Sequence, residues 1–431
     1  MGVVVLSDED ADTSEENETR DITSKSSIIR ARFVGIYQTL SSSRIPFLFI
    51  GVIATLVIAK ILLILSLDWI IIDEVLPNSW LYLDPYDAND IEGTPEIILG
   101  LANRWDSQHF LEIARNGYPA GSEIGLLYAF APVYPWMVAG LNQLVGNLYT
   151  SGVIVSNTFY FLSIISFFAV ARLYMDYEKS CLLSLTFGLF PTYLVYGTLA
   201  YSEAPYLFFS ISSWYFFKKK LYLPCAIFMT LSILTRYISV LLVLIFGLII
   251  LSEFIDRYRE EHSLRKAFNF RVFWFLIPGV CVTLVFLYFQ SLTGRFFAAF
   301  EAHAWFGDNL ATPYHQFRWF FEGYFVELNP SVDPFMLMLL RYIFTIPFLT
   351  LTLLLFKDDA ELGLYGLLFM WFTLSMEGIS GIASPRIMLS AWVAFLALKN
   401  RVSKGILLVM AVMFFLIGIW VMYQFQLTFF A

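Results

Sequence analysis

The chemically densest stretch of the sequence is Asn103-Arg104-Trp105-Asp106-Ser107-Gln108-His109-Phe110-Leu111-Glu112-Ile113-Ala114-Arg115-Asn116-Gly117-Tyr118. In helical phase Asp106 and His109 stand three residues apart on one face, with Glu112 a further turn along. A carboxylate beside an imidazole is a natural general-base pair. It can take the proton of a sugar hydroxyl as that hydroxyl attacks an anomeric carbon. The same pattern also fits an amphipathic juxtamembrane helix whose charges merely face water. On either reading Trp105, Phe110 and Leu111 can rest on the membrane interface. On the functional one the polar edge faces a cavity, and the aromatic-proline segment Tyr128 to Pro135 docks the helix onto the membrane domain.

Three more ionisable residues occupy places where charge is costly. Glu203 stands between two short apolar segments, and could bind a sugar hydroxyl or simply sit at the water boundary. Arg236 interrupts an apolar stretch that otherwise runs from 221 to 252. Its planar fork suits a phosphate, and snorkelling to headgroups is the alternative. Arg386, in Gly381-Ile382-Ala383-Ser384-Pro385-Arg386, is a second phosphate candidate. Farther along, Trp305, Tyr314 and Trp319 suit stacking on a sugar face or lying at an interface, near Glu301, His303, Asp308 and His315. The Glu301/His303 spacing makes a poor metal site, and no organic cofactor is indicated; a divalent cation stays open as the one cofactor candidate. Cys181, Cys225 and Cys281 lie in apolar runs and read as small hydrophobes. No glycine-rich nucleotide loop is present, so a donor supplied from the bilayer fits better than a soluble nucleotide sugar.

The elements that must position these residues are membrane helices. Of the 431 residues 58% are hydrophobic and only 14% charged, and the mean hydropathy is +0.69. Soluble domains are about 25% charged. The net charge of −8, without a basic stripe, argues against a nucleic-acid partner. Apolar segments fall at 47–67, 128–147, 152–175, 181–196, 205–217, 221–235, 237–252, 273–292, 336–356, 362–376, 387–398 and 406–427. Basic residues Lys25, Arg30, Arg32 and Arg44 precede the first span, whereas 68–127 is strongly acidic. The N-terminus is therefore expected in the cytosol, and the first loop outside. Clusters around Lys218, Arg257 and Lys399 also fall inside if 128–147, with Pro132 and Pro135 in its first turns, is re-entrant or interfacial. About eleven full spans result. Residues 1–46 form a partly disordered tail, and 47–431 a transmembrane domain with outer loops at 68–127 and 293–335. On this topology Asp106, Glu203, Arg236, Trp305 and Arg386 converge on the outer face.

Arg-Trp-Asp-x-x-His-Phe-x-x-Ile-Ala-x-x-Gly-Tyr, residues Arg104 to Tyr118, resembles the first-loop motif of the PIG-V family, mannosyltransferases of the GT-C class. Ala129-Phe130-x-Pro132-x-Tyr134-Pro135, Tyr201-Ser202-Glu203 and Leu234-Thr235-Arg236 match three further landmarks in order. The similarity covers about residues 100–240 well. Ala131 replaces a usual aromatic, and Tyr237 and Ile238 follow the Thr-Arg pair where small residues are common. The resemblance implies an all-α GT-C bundle with interfacial helices in its first outer loop. It implies a polyprenyl-phosphate hexose donor, most naturally dolichyl-phosphate mannose, and a lipid or glycan acceptor. It makes Asp106 the base and His109 its helper, and sets Arg104, Tyr134, Glu203, Arg236, Arg386 and Trp305 as substrate-binding candidates. Membrane lipids and a small membrane subunit are the other expected partners. The membrane would be that of the endoplasmic reticulum in a eukaryote and the plasma membrane in a prokaryote. A transporter or lipid flippase is the competing class, because intramembrane charges also mark substrate pathways; no internal repeat supports it. A non-catalytic scaffold subunit is a third.

Overall fold

The computed structural model describes residues 45–70, 93–306, 312, 334–376 and 384–427. The chain divides into residues Met1–Gly51, of which only the start of a helix is described, and the compact unit Val52–Ala431. The described residues are 83% helical and contain no strands. The first helix, α1 (Ile45–Ile70), buries Val52, Leu56, Ala59, Lys60, Leu63 and Leu67 along one stripe. Ile58, Ile61, Leu62 and Leu65 on its other side are exposed. This is helical periodicity with an apolar outer face, which only lipid can solvate.

Two short helices, α2 (Glu96–Ala102) and α3 (Asp106–Asn116), lead to α4 (Val133–Val145) and α5 (Leu148–Ala171). The apolar run that follows is cut into α6 (Tyr177–Gly188) and α7 (Pro191–Tyr196), with Pro191 pre-set at the first position of α7. After a non-helical break over 197–202 come α8 (Glu203–Lys218), α9 (Tyr222–Ile233), α10 (Val240–Glu261) and α11 (Leu276–Thr293). The described part ends with α12 (Pro334–Asp358), α13 (Ala360–Ser375), the short α14 (Ser384–Ile387), a 3₁₀ helix over Met388–Lys399 and α15 (Lys404–Leu427). Helix α5 packs against α8, α8 against α9, and α12, α13 and the 3₁₀ helix against one another.

Five described stretches are long and apolar enough to cross a membrane: Phe47–Leu67, Leu148–Ala171, Tyr237–Glu261, Phe270–Thr293 and Lys404–Phe425. The expected count of about eleven full spans is not confirmed, since by length and composition five stretches qualify among the described residues. Several apolar runs instead become short helices packed inside the protein. Every residue of α7 is buried, and α9 has only 12 residues. Helix α4, in the segment expected to be re-entrant or interfacial, has 13 residues, about 20 Å of rise where the hydrocarbon needs about 30 Å.

Candidate functional site

The site is assembled by backbone irregularities at the ends of short helices. Asp106 opens α3, and a turn closed by Ser107 N–H donating to Arg104 O at 3.1 Å throws it forward. At the second position of that turn Trp105 has φ 49° and ψ −131°, a region that glycine favours. Holding a tryptophan there stores about 1–3 kcal/mol of strain. The other end of α3 is closed by Gly117 at φ 73° and ψ −164°, a backbone conformation that glycine reaches without a Cβ clash. Phe110 and Leu111 are buried, and Phe110 meets Phe130, Tyr134 and Tyr201 edge-on. These residues thus anchor α3 to the protein and do not rest on an interface as expected. Glu112 lines a small cleft with Asn103, Gln108, Leu111, Arg115 and Tyr149, and accepts from Asn116 Nδ2 at 2.9 Å.

Glu203 is the first residue of α8, where a carboxylate meets the positive end of the helix. Arg236 follows α9 in extended conformation, and Arg386 lies in α14. These segments, far apart in sequence, bring four charges together. Arg386 Nη1 lies 2.7 Å from Asp106 Oδ2, and its Nε lies 3.1 Å from Glu203 Oε1. Arg236 Nη1 donates to the same Glu203 oxygen. The Arg386 guanidinium also stands over the rings of Tyr201 and Tyr196, at 5.3 and 5.4 Å, so it is held by π faces as well as by charge. Two carboxylates balance two guanidiniums. The side chains of Glu203 and Arg386 are 2% and 9% exposed, those of Asp106 and Arg236 18% and 20%. Glu203 and Arg386 are thus the buried core of the quartet, and Asp106 and Arg236 its open ends. Glu203 Oε2 is buried without a hydrogen-bond partner among the described residues.

The remaining candidates are placed as follows. His109 lies on α3 beside Asp106, its ring 5.1 Å from that of Phe130. Burial pushes its pKa below the usual imidazole value, and the nearby Asp106 charge offsets part of that. Arg104 is buried in the turn that presents Asp106. Tyr134 is fully buried, its hydroxyl 3.0 Å from Ser156 Oγ and 3.2 Å from Gly152 O. Trp305 is exposed, and its indole N–H donates to Ile124 O at 2.8 Å. Among the described residues no hydrogen bond or ion pair joins either of these two to the quartet. Asp308, Tyr314, His315 and Trp319 lie outside the described residues. No group of three or more His, Cys, Asp and Glu side chains is gathered for a metal ion among the described residues. Sequence reasoning did not foresee Tyr196 and Tyr201 as the faces under Arg386. The cluster of tyrosines ahead of Glu203 was the available signal.

A helical membrane protein with a buried, charge-balanced site at helix ends is the class that the fold and site define. The chain belongs to the mannosyltransferase (PIG-V) family, whose model matches residues 34–312. That family is one of mannosyltransferases, and it lends no support to the transporter alternative. No curated protein matches the sequence. Among solved structures the chain is similar to the archaeal oligosaccharyltransferase AglB from Archaeoglobus fulgidus, solved with an inhibitory peptide and a dolichol-phosphate. That likeness has 12% identity and a TM-score of 0.44, and covers 87% of this chain. The chain spans about half of the AglB chain, 55% of its length.

Proposed function

We propose that the protein transfers mannose from a polyprenyl-phosphate donor to a hydroxyl of a lipid or glycan, on the non-cytosolic face of its membrane, in the manner of GT-C enzymes. The observation that carries this is the quartet itself, with a carboxylate at one open end and a guanidinium at the other. In the reaction the acceptor hydroxyl oxygen bonds to the anomeric carbon, and the bond from that carbon to the phosphate oxygen breaks. The hydroxyl proton passes to Asp106, and the electron pair leaves on the phosphate. A single displacement inverts the anomeric configuration.

Arg386 couples the two ends of this step. As Asp106 takes the proton it loses its charge and its hold on Arg386. At that moment the departing phosphate goes from one negative charge to two. A guanidinium released from one partner then stabilises the other where charge develops. Arg236 supplies the second cation, and Glu203 keeps both forks in place between turnovers. His109, kept neutral by its surroundings, orients the base or holds substrate, and Arg104 sets the turn from which Asp106 projects. Tyr134 packs against Phe110 of the helix that follows this turn, and Trp305 would meet the acceptor from the second outer loop. A divalent cation at the phosphate stays compatible with two carboxylates nearby.

The sidedness has support in the helix directions. Helix α8 runs from Glu203 to Lys218, about 24 Å along its axis. At its far end Lys218 pairs with Glu361 at 2.8 Å. The quartet and this basic cluster thus mark opposite ends of one helix, as a cytosolic Lys218 and an outer Glu203 require. The test is transfer of label from radiolabelled dolichyl-phosphate mannose into host lipids and glycans by membranes holding the wild type or Asp106→Asn. Label moving only with the wild type supports the proposal, and the labelled product identifies the acceptor. Equal transfer by both removes Asp106 as the base.

A further inference from the structure

Lys60 is an unusual residue to find in α1. It lies within the apolar span Phe47–Leu67 and is 4% exposed. An ammonium in such a place is costly unless it has strong partners. Among the described residues no carboxylate lies within ion-pair distance of it. Instead Nζ donates to Gly197 O at 2.6 Å and to Asn157 Oδ1 at 2.7 Å. It also sits 3.6 Å from the centroid of the Tyr160 ring. The Asn157 amide continues the array, its Nδ2 donating to Thr198 O at 3.0 Å and Val153 O at 2.8 Å.

Two of these acceptors, the Gly197 and Thr198 carbonyls, belong to the break over 197–202, between α7 and α8. A break inside a membrane bundle leaves carbonyls that no water satisfies, and each needs a donor from the protein. Lys60 serves Gly197, Asn157 serves Thr198, and Ser156 Oγ donates to Tyr201 O at 2.8 Å while accepting from Tyr201 N–H at 3.1 Å. The residue at 197 must be glycine for the same architecture. A Cβ there would stand 2.5 Å from Tyr160 Cδ2 and 2.7 Å from Tyr193 O. Tyr160 is therefore packed against both the glycine and the ammonium. The break in turn carries Tyr201, which lies against Arg386, and ends at Glu203, which holds both arginines.

We infer that Lys60 is a positioning residue for the phosphate-binding arginines, acting through the Gly197–Glu203 break. This rests on the phosphate role proposed above for Arg236 and Arg386. Without the ammonium the Gly197 carbonyl loses its donor, the break shifts, and Tyr201 and Glu203 no longer set the two forks. Small displacements of binding groups are expensive in affinity.

The test measures binding of radiolabelled dolichyl phosphate to the full chain purified into nanodiscs. Mannose transfer by the same samples is measured in parallel. The set is the wild type, Lys60→Met, Lys60→Arg and Asn157→Leu, each normalised to folded protein by its melting curve. Lys60→Met is expected to raise the Kd about tenfold, and Asn157→Leu to do likewise. Lys60→Arg keeps the charge and the N–H donors but brings a bulkier fork into a site that is 4% exposed, so its Kd is expected between those of Lys60→Met and the wild type. A Lys60→Met protein with wild-type Kd and merely less folded material overturns the inference, because a structural role alone lowers the amount and not the affinity. If Lys60→Met yields no folded protein, Asn157→Leu decides, and a wild-type Kd there overturns it equally. A wild type that binds dolichyl phosphate but transfers no mannose sinks the transferase proposal while the Lys60 comparison still stands. One that does neither removes both.

Discussion

Replacing Asp106 by Asn changes the charge of the quartet and almost nothing of its shape. Arg386 lies 2.7 Å from Asp106 and 3.1 Å from Glu203, so after the substitution Glu203 still holds it. The cost to the fold is limited to one ion pair at a partly open position, at most about 3 kcal/mol. The cost to the reaction is larger. Losing a general base slows the chemical step by about 10² to 10⁴, or roughly 2.7–5.4 kcal/mol of barrier. The balance of two carboxylates against two guanidiniums also shifts to one net positive charge, and the phosphate no longer competes with Asp106 for Arg386. The expected signature is therefore a large fall in kcat with a donor KM that is unchanged or lower. Initial rates against dolichyl-phosphate mannose concentration, with expression matched by immunoblot, give both constants. A kcat within about threefold of the wild type, or a raised KM with kcat preserved, refutes the assignment of Asp106 as base.

Glu203→Gln leaves two guanidiniums without their shared carboxylate in a site that is 2% exposed, a loss of about 3–5 kcal/mol, seen as a lower melting temperature in detergent together with lost transfer. Arg386→Lys keeps the charge but cannot bridge two carboxylates with a planar fork, so the donor KM should rise about tenfold or more in the transfer assay. His109 has its pKa depressed in the fold below 6.5, so the unfolded chain binds a proton first as the medium is acidified. Its contribution to stability is complete above about pH 6.5 and is lost as the pH falls through the lower folded value. His109→Gln should accordingly flatten the decline in melting temperature between about pH 7.5 and 5. Gly197→Ala places a methyl against Tyr160 and the Tyr193 carbonyl, and should lower stability by about 1–3 kcal/mol in the same melting assay.

The four charges of the quartet were legible because each interrupts an apolar or interfacial run, where an ionisable side chain is too costly to occur without a partner. Their mutual pairing was not legible. Asp106, Glu203, Arg236 and Arg386 come from four separate segments, and no local pattern records a contact across 280 residues of chain. Lys60 obeys the same rule inside the first apolar run, yet its partners are the Asn157 side chain and the Gly197 carbonyl of a distant break, which no local pattern records. Spans were harder to count than charges to find. A run such as 181–196 has the composition of a span, but Pro191 divides it into two helices shorter than a membrane is thick. Phe110 and Leu111 read as interface residues because hydropathy alone cannot distinguish lipid from protein as the apolar neighbour.

The left-handed tryptophan at the turn into α3 places opposing pressures on one codon. Glycine at 105 would relax the backbone but surrender the indole and loosen the hinge from which Asp106 projects. Any other side chain inherits the torsional penalty without the same ring. A saturation library at this position, sorted for expression and then for transfer, should therefore return two different winners. Glycine should lead the first sort and tryptophan the second, so that a lineage adapting only for abundance would drift toward a well-made and idle protein.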